Sequence, residues 1–171
     1  MGRLDEKVVV VTGAGRKRGI GRAIALRLAQ DGAHVIVSSQ PRDPATFPEH
    51  EQAEGWQGIR SIAEEIRALG RRAVAIDCDV TRADQVQALI DAATRDLGGI
   101  DGLVNNAGIP SGAGSAPIVE MDDELWYRTV DVNLNGVYLA SKAAARAMIR
   151  TGKAGAIVNI SSTAGRMRFA E

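Results

Sequence analysis

Residues 8–21 read Val-Val-Val-Val-Thr-Gly-Ala-Gly-Arg-Lys-Arg-Gly-Ile-Gly, and a helical pattern of apolar residues begins directly behind them. Four valines in a row favour an extended backbone, and the lack of polar alternation requires cover on both faces of a sheet. The glycines that follow permit a tight turn and let another group approach the backbone closely. The helix behind the turn starts with unpaired N–H groups and the positive end of its dipole, which suits a phosphate. A buried strand, a glycine turn and a helix in that order start a β-α-β unit, and with it a parallel sheet.

The rest of the chain keeps this rhythm. Short apolar runs at 33–38, 73–77, 100–105 and 156–160 read as four more strands. Between the strands, 21–30, 58–69, 83–97 and 120–150 read as helices. Val86, Leu89, Ile90 and Ala93 stand at helical spacing, and Gly32, Gly70 and Gly98-Gly99 are stop signals. The expected fold class is α/β, a doubly wound parallel sheet of the Rossmann type, in one domain over residues 1–171. Two segments break the pattern. Residues 40–56 hold three of the five prolines and read as a loop insertion, either a plain surface excursion or a lid or oligomer contact. Residues 111–117 (SGAGSAP) read as a flexible loop at the sheet edge where such folds bind ligands.

Composition excludes several function classes. Lys+Arg and Asp+Glu balance at 21 each, so no net field draws the chain to nucleic acid or to an anionic membrane. Aromatic residues are 4% of the chain, too few for base-stacking platforms. No apolar run approaches the roughly 20 residues of a membrane span, and residues 1–7 carry no signal core. The single cysteine, Cys78, excludes an internal disulfide and fits a reducing compartment, so a cytoplasmic location is expected. With no Cys/His cluster, no metal site is expected. His34 and His50 have no partner at catalytic spacing, and Cys78 reads as a small buried residue.

The general dinucleotide pattern Gly-x-Gly-x-x-Gly fails from Gly13, because its sixth place is Arg18, whereas Gly15, Gly19 and Gly21 satisfy Gly-x-x-x-Gly-x-Gly. Cys78-Asp79-Val80 follows the third strand, and Asn105-Asn106-Ala107-Gly108 closes the fourth. Asp131-Val132-Asn133-Leu134-Asn135-Gly136-Val137-Tyr138 precedes a small-residue helix, and Ile157-Val158-Asn159-Ile160-Ser161-Ser162 ends the fifth strand. In this order, over essentially the whole chain, these segments resemble the short-chain dehydrogenase/reductase family, particularly its 3-oxoacyl-ACP-reductase-like members. The resemblance implies NAD(P)-dependent hydride transfer to or from a small carbonyl or secondary alcohol. It implies that Gly13, Gly15, Gly19, Ile20 and Gly21 line the cofactor pyrophosphate. Asp79 and Val80 would meet the adenine, and Asn106, Ala107 and Gly108 the ribose. Asn133 would hold a structural water in a proton relay, and Ser162 would hydrogen-bond the substrate carbonyl. A homodimer or homotetramer is implied as well. The alternative is a non-catalytic dinucleotide-binding or partner-binding module.

One departure concerns the loop. Family members usually place three residues between the Thr-Gly glycine and the next, but Gly13 and Gly19 enclose five: either the loop carries two extra residues, which is the reading expected here because Thr12-Gly13 directly ends the valine run, or Gly15 takes the first glycine's place. A second concerns the cofactor. The second strand ends Val37-Ser38-Ser39-Gln40, without the acid that binds a ribose 2′-hydroxyl in NAD-specific folds. A 2′-phosphate favours hydroxyl and basic partners, and Ser39 and Arg18 are placed to supply them, with Lys17 and Arg42 near in sequence. NADP(H) is therefore expected over NAD(H). The other reading of Arg16-Lys17-Arg18 is a solvated turn.

The resemblance also implies a proton-donating tyrosine near position 175, with a lysine four residues further on, whereas the sequence stops at Glu171. The sheet is therefore expected to be C-terminally incomplete, and the chain as written inactive. Tyr138 and Lys142 spell the same Tyr-x-x-x-Lys one helical turn apart, but they precede Ser162 and are expected to pack, not to catalyse.

Overall fold

In a computed structural model, residues 2–110 and 116–163 are described. Strand β1 (Val8–Val11) is wholly buried. Its side chains alternate, so Val8 and Val10 enter one apolar cluster, and Val9 and Val11 the other. Around it lie β2 (His34–Ser39), β3 (Ala73–Asp77), β4 (Gly102–Asn105) and β5 (Ala156–Asn159). All neighbours are parallel, in the order β3-β2-β1-β4-β5. The connections are α1 (Ile20–Gln30), α2 (Glu49–Ala53), α3 (Ile59–Ala68), α4 (Ala83–Leu97), α5 (Asp123–Val130) and α6 (Gly136–Arg150). Ala25 and Ala29 of α1, with Ile62 and Ile66 of α3, cover the Val9/Val11 face. Leu89 and Ile90 of α4, with Ala144 and Ala147 of α6, cover the Val8/Val10 face. This is the doubly wound α/β sheet of Rossmann type. Its strand order reverses between β1 and β4, and such reversals open a crevice beyond the carboxyl ends of the strands.

Residues 120–150 depart from the single helix that their composition predicts. Asp122 caps α5 by accepting the Leu125 N–H at 2.7 Å. A wider π-type turn, Asp131–Asn135, then separates α5 from α6. The cause is tertiary: the Asn133 side chain accepts the Ile109 N–H at 2.8 Å and donates to the Ile109 carbonyl at 3.1 Å. Two asparagines and Gly136, all weak helix formers, let the backbone yield there.

At the opposite end of the sheet, Asp101 ties three strands together. Its carboxylate accepts the Val8 N–H at 3.0 Å and meets Lys7 at 3.2 Å, and its backbone carbonyl accepts the Ala156 N–H at 3.1 Å. Burial opposes ionisation of Asp101, but the Val8 N–H, Lys7 and Lys153 outweigh it and hold the carboxyl below its usual range. A depressed folded-state value contributes stability above the unfolded carboxylate pKa, and that contribution is lost as pH falls through the folded value. Asp101→Asn is therefore expected to cost about 1–3 kcal/mol at pH 7. The deficit should shrink as pH falls through the lowered folded-state value of Asp101, as urea denaturation at pH 7 and at acid pH would read.

His34 is buried and structural: Nδ1 accepts the Arg72 N–H at 3.1 Å, and Nε2 lies 3.2 Å from Glu6. Cys78 is buried, and burial, with the charges of Asp79 and Asp84, pushes its thiol up to about 11. Among the described residues, no helix is long and apolar enough to cross a membrane. Among them, too, no group of three or more His, Cys, Asp or Glu could hold a metal ion.

Candidate functional site

The crevice at the β1/β4 reversal is built from backbone locks. Thr12 Oγ1 accepts the N–H groups of Asn106 and Ala107, each at 3.1 Å. The Asn106 side chain donates to the carbonyls of Thr12 at 2.9 Å and Gly13 at 3.0 Å. The turn after β1 is thereby pressed against the turn after β4. Gly13 has φ +68°, and a Cβ there would lie 2.4 Å from Ala107 Cα. A Cβ on Gly15 would lie 2.7 Å from Ser39 Oγ, and one on Gly21 would lie 2.6 Å from the Asn106 side-chain nitrogen. Glycine at 13 and 21 is thus compelled by backbone contacts, with Ala107 and with Ala14 Cα at 2.8 Å, whereas at 15 only the Ser39 side chain crowds the position. Helix α1 begins behind the crevice at Gly19 with no capping side chain and no acid in its first turn. Ile20 is exposed there.

Between Gly13 and Gly19 the loop holds five residues: β1 ends at Val11, and Ala14 donates to the Ser38 carbonyl at 2.9 Å. Residues 40–56 reach this loop. They contain a 3-10 turn, Pro44–Thr46, followed by α2. Phe47, Glu51 and Trp56 are buried. Trp56 Nε1 donates to the Gly15 carbonyl at 3.1 Å, and the Lys17 N–H donates to Glu51 Oε1 at 3.2 Å. The Lys17 ammonium is paired with Glu54. Arg42 is spent within the segment, on Thr46 Oγ1 at 3.0 Å and the Thr46 carbonyl at 2.7 Å. Arg16 and Arg18 are exposed and, among the described residues, carry no ion pair.

Ser39 ends β2, half-buried beside Gly15. The Gln40 side chain donates to Asp79 at 3.3 Å, while the other Asp79 oxygen accepts the Thr81 N–H at 2.9 Å and hydroxyl at 2.8 Å. Val80 packs on the start of α6, where a Cβ on Gly136 would come within 2.7 Å of it. Gln40, Asp79, Thr81, Tyr127 and Arg128 line a polar cleft of about 370 Å³.

Asn105 is buried and donates to Ser141 Oγ at 2.9 Å and to Asn159 Oδ1 at 2.8 Å, joining β4, α6 and β5. Gly108 adjoins Asn133, whose side chain is held by Ile109 through one accepted and one donated bond. Ser162 is exposed just beyond β5. Sequence reasoning singles out none of Glu51, Glu54, Trp56, Ser141 or Asn159. Of these only Trp56 carried a signal, as a lone tryptophan in a polar, proline-rich stretch. Of the 111–117 loop, residues 111–115 lie outside the described residues. Tyr138 Oη accepts from Lys142 at 2.9 Å on the exposed side of α6, and this bond and the ammonium charge lower the phenol below its usual value.

Comparison with known proteins matches this geometry to a family. The short chain dehydrogenase model matches residues 7–171. L-rhamnose 1-dehydrogenase (NAD(P)(+)) of Azotobacter vinelandii is 42% identical over 159 residues, 93% of this chain and 56% of that enzyme. A short chain dehydrogenase from Mycobacterium smegmatis superposes with a TM-score of 0.84 at 34% identity, covering 99% of this chain and 63% of that one. Carveol dehydrogenase from Mycobacterium avium, crystallised in complex with NAD, gives 0.81 at 32% identity, covering 99% and 59%. The chain thus spans a little over half the length of the relatives it matches. With the family model matched along nearly its whole length, the chain belongs to the short-chain dehydrogenase/reductase family.

Proposed function

We propose that the parent protein is an NADP(H)-preferring oxidoreductase that interconverts a small carbonyl compound and a secondary alcohol. The observation that carries this is the bare cradle: Gly13 and Gly21 stand where backbone leaves no room for a Cβ, with Gly15 against Ser39, in front of an uncapped α1 and beside Asn106. The residues fit a dinucleotide. The first-turn amides of α1, at Ile20 and Gly21, receive the diphosphate oxygens. The hydroxyl of Ser39 and the unpaired guanidinium of Arg18 hold the 2′-phosphate. Asp79, which lines the 370 Å³ cleft, and Val80 next to it take the adenine, and Asn106, Ala107 and Gly108 the ribose. When bound, the nicotinamide supplies or takes the hydride.

The chain's own share of the chemistry falls to two residues. Ser162 donates its hydroxyl hydrogen to the substrate carbonyl. The Asn133 side chain is held by Ile109, and its part in a proton relay is assigned to its backbone carbonyl, set in the π-type turn, which would hold the water. Protonation of the alkoxide is assigned to a tyrosine beyond residue 171, with Tyr138 left as an exposed partner of Lys142. A cytoplasmic location, carried over from the single cysteine, and a homodimeric or homotetrameric assembly, carried over from the family resemblance, are part of the proposal.

The test is calorimetric titration of the protein expressed from its intact gene. Both dinucleotides should bind, NADPH about tenfold more tightly than NADH. Equal or reversed affinities would remove the NADP assignment, and no binding of either would remove the whole reading.

A further inference from the structure

We propose that residues 47–57 are a clamp that holds the lengthened glycine loop in its coenzyme-accepting shape, and that Lys17 belongs to this clamp, not to the reader of the 2′-phosphate. The inference rests on the dinucleotide reading of the cradle and deepens it.

Two segments stand out from the β-α-β rhythm of the sequence, a glycine loop with five residues between Gly13 and Gly19 and the stretch at 40–56, and the structure brings the two together. Left to itself the loop makes few bonds: Ala14 to Ser38, and Gly19 to Arg16. Its middle is held from outside. The Gly15 carbonyl is taken by the Trp56 indole at 3.1 Å, and the Lys17 N–H by the Glu51 carboxylate at 3.2 Å. The Lys17 carbonyl is taken by Arg22 at 3.3 Å, and Arg22 is itself forked onto Glu65 at 2.8 Å through both nitrogens. The Lys17 ammonium and the Arg22 guanidinium lie 5.9 Å and 5.7 Å from the centre of the Trp56 ring, within cation–π range.

The clamp is itself anchored. Phe47 and Trp56 sit in the apolar cluster with Ile59 and Ile62, and Gln52 donates to the carbonyls of Ala45 at 3.0 Å and Phe47 at 2.6 Å. Glu51 is 5% exposed, and a buried carboxylate is kept only where it is bonded. A loop ordered in advance spares the coenzyme the entropy of ordering it, so the clamp acts on affinity. It also sorts the basic run. Lys17 is paired with Glu54, while Arg16 and Arg18 carry no ion pair among the described residues and are left to the ligand.

The experiment titrates NADPH and NADH separately into the protein from the intact gene and its variants. Trp56→Phe keeps the ring but loses the N–H, and should weaken both coenzymes about five- to tenfold with their ratio unchanged. Glu51→Ala should do the same, and Glu51→Gln, which keeps an oxygen for the Lys17 N–H, should recover most of that loss. Lys17→Ala should weaken both coenzymes alike. Affinities within twofold of the parent in Trp56→Phe, or a selective loss of NADPH in Lys17→Ala, would overturn the proposal. Should Trp56→Phe fail to fold, the surface changes Lys17→Ala and Glu54→Gln decide: equal losses support the clamp, and no loss in either sinks it. If the parent binds neither coenzyme, the functional reading fails instead. Amide exchange over residues 14–19 then tests the clamp alone, faster in Glu54→Gln if it exists and unchanged if it does not.

Discussion

Gly13→Ala is expected to cost about 3–5 kcal/mol of stability and to weaken dinucleotide binding at least about 100-fold. Two penalties meet at this residue. Its φ of +68° is one that an L side chain rarely adopts. Its missing Cβ would also lie 2.4 Å from Ala107 Cα and 2.7 Å from Ala107 N, and these are backbone atoms that no rotamer change can clear. Ala107 cannot retreat cheaply, because its N–H is bonded to Thr12 Oγ1 at 3.1 Å. Relief therefore has to come from shifting the glycine turn, which is the surface proposed to receive the diphosphate. Gly152→Ala separates the two penalties. It has φ +65° but nothing within 4 Å of a Cβ, so it should cost only about 1 kcal/mol and leave binding unchanged. Urea denaturation and calorimetric titration of both variants read the difference. A Gly13→Ala protein that melts and binds like Gly152→Ala would show that the turn is free to move, and that contact with Ala107 does not compel its glycine.

The same residues show why part of this molecule could be read from its sequence and part could not. The valines of β1 declared a strand buried on both faces because burial is a local demand, and alternate valines do go to opposite clusters. The glycines could be read for a similar reason: a bare backbone can be supplied only by glycine, even though the atoms that require it, on Asn106 and Ala107, lie about ninety residues away. The break at 131–135 left no such trace. Its apolar spacing is helical, and the pull on Asn133 comes from Ile109, 24 residues earlier. The clamp was equally hidden. Lys17 read as a candidate phosphate ligand because its partner Glu54 stands 37 positions on, in a stretch whose prolines suggested only a loop. A composition pattern records what one residue needs from its surroundings; it does not record which distant residue meets that need.

Ser162→Ala is expected to lower kcat/KM for carbonyl reduction by about 10²–10³ while leaving coenzyme affinity within about twofold. The serine leaves the carboxyl end of β5, and that end is held firmly. Asn105 bonds Asn159 at 2.8 Å, and the Ile160 N–H donates to the Asn105 carbonyl at 2.9 Å. A hydroxyl so placed donates more strongly as the substrate oxygen gains charge, so its loss falls on the transition state more than on the ground state. Ser161→Ala is the control, since the neighbouring serine has no role in the proposed chemistry and should leave the rate unchanged. The assay uses those members of a panel of small ketones that the protein from the intact gene reduces with NADPH. Equal rates for parent and Ser162→Ala would take the substrate away from this strand end. A large loss in Ser161→Ala with none in Ser162→Ala would move the substrate-binding hydroxyl back by one residue.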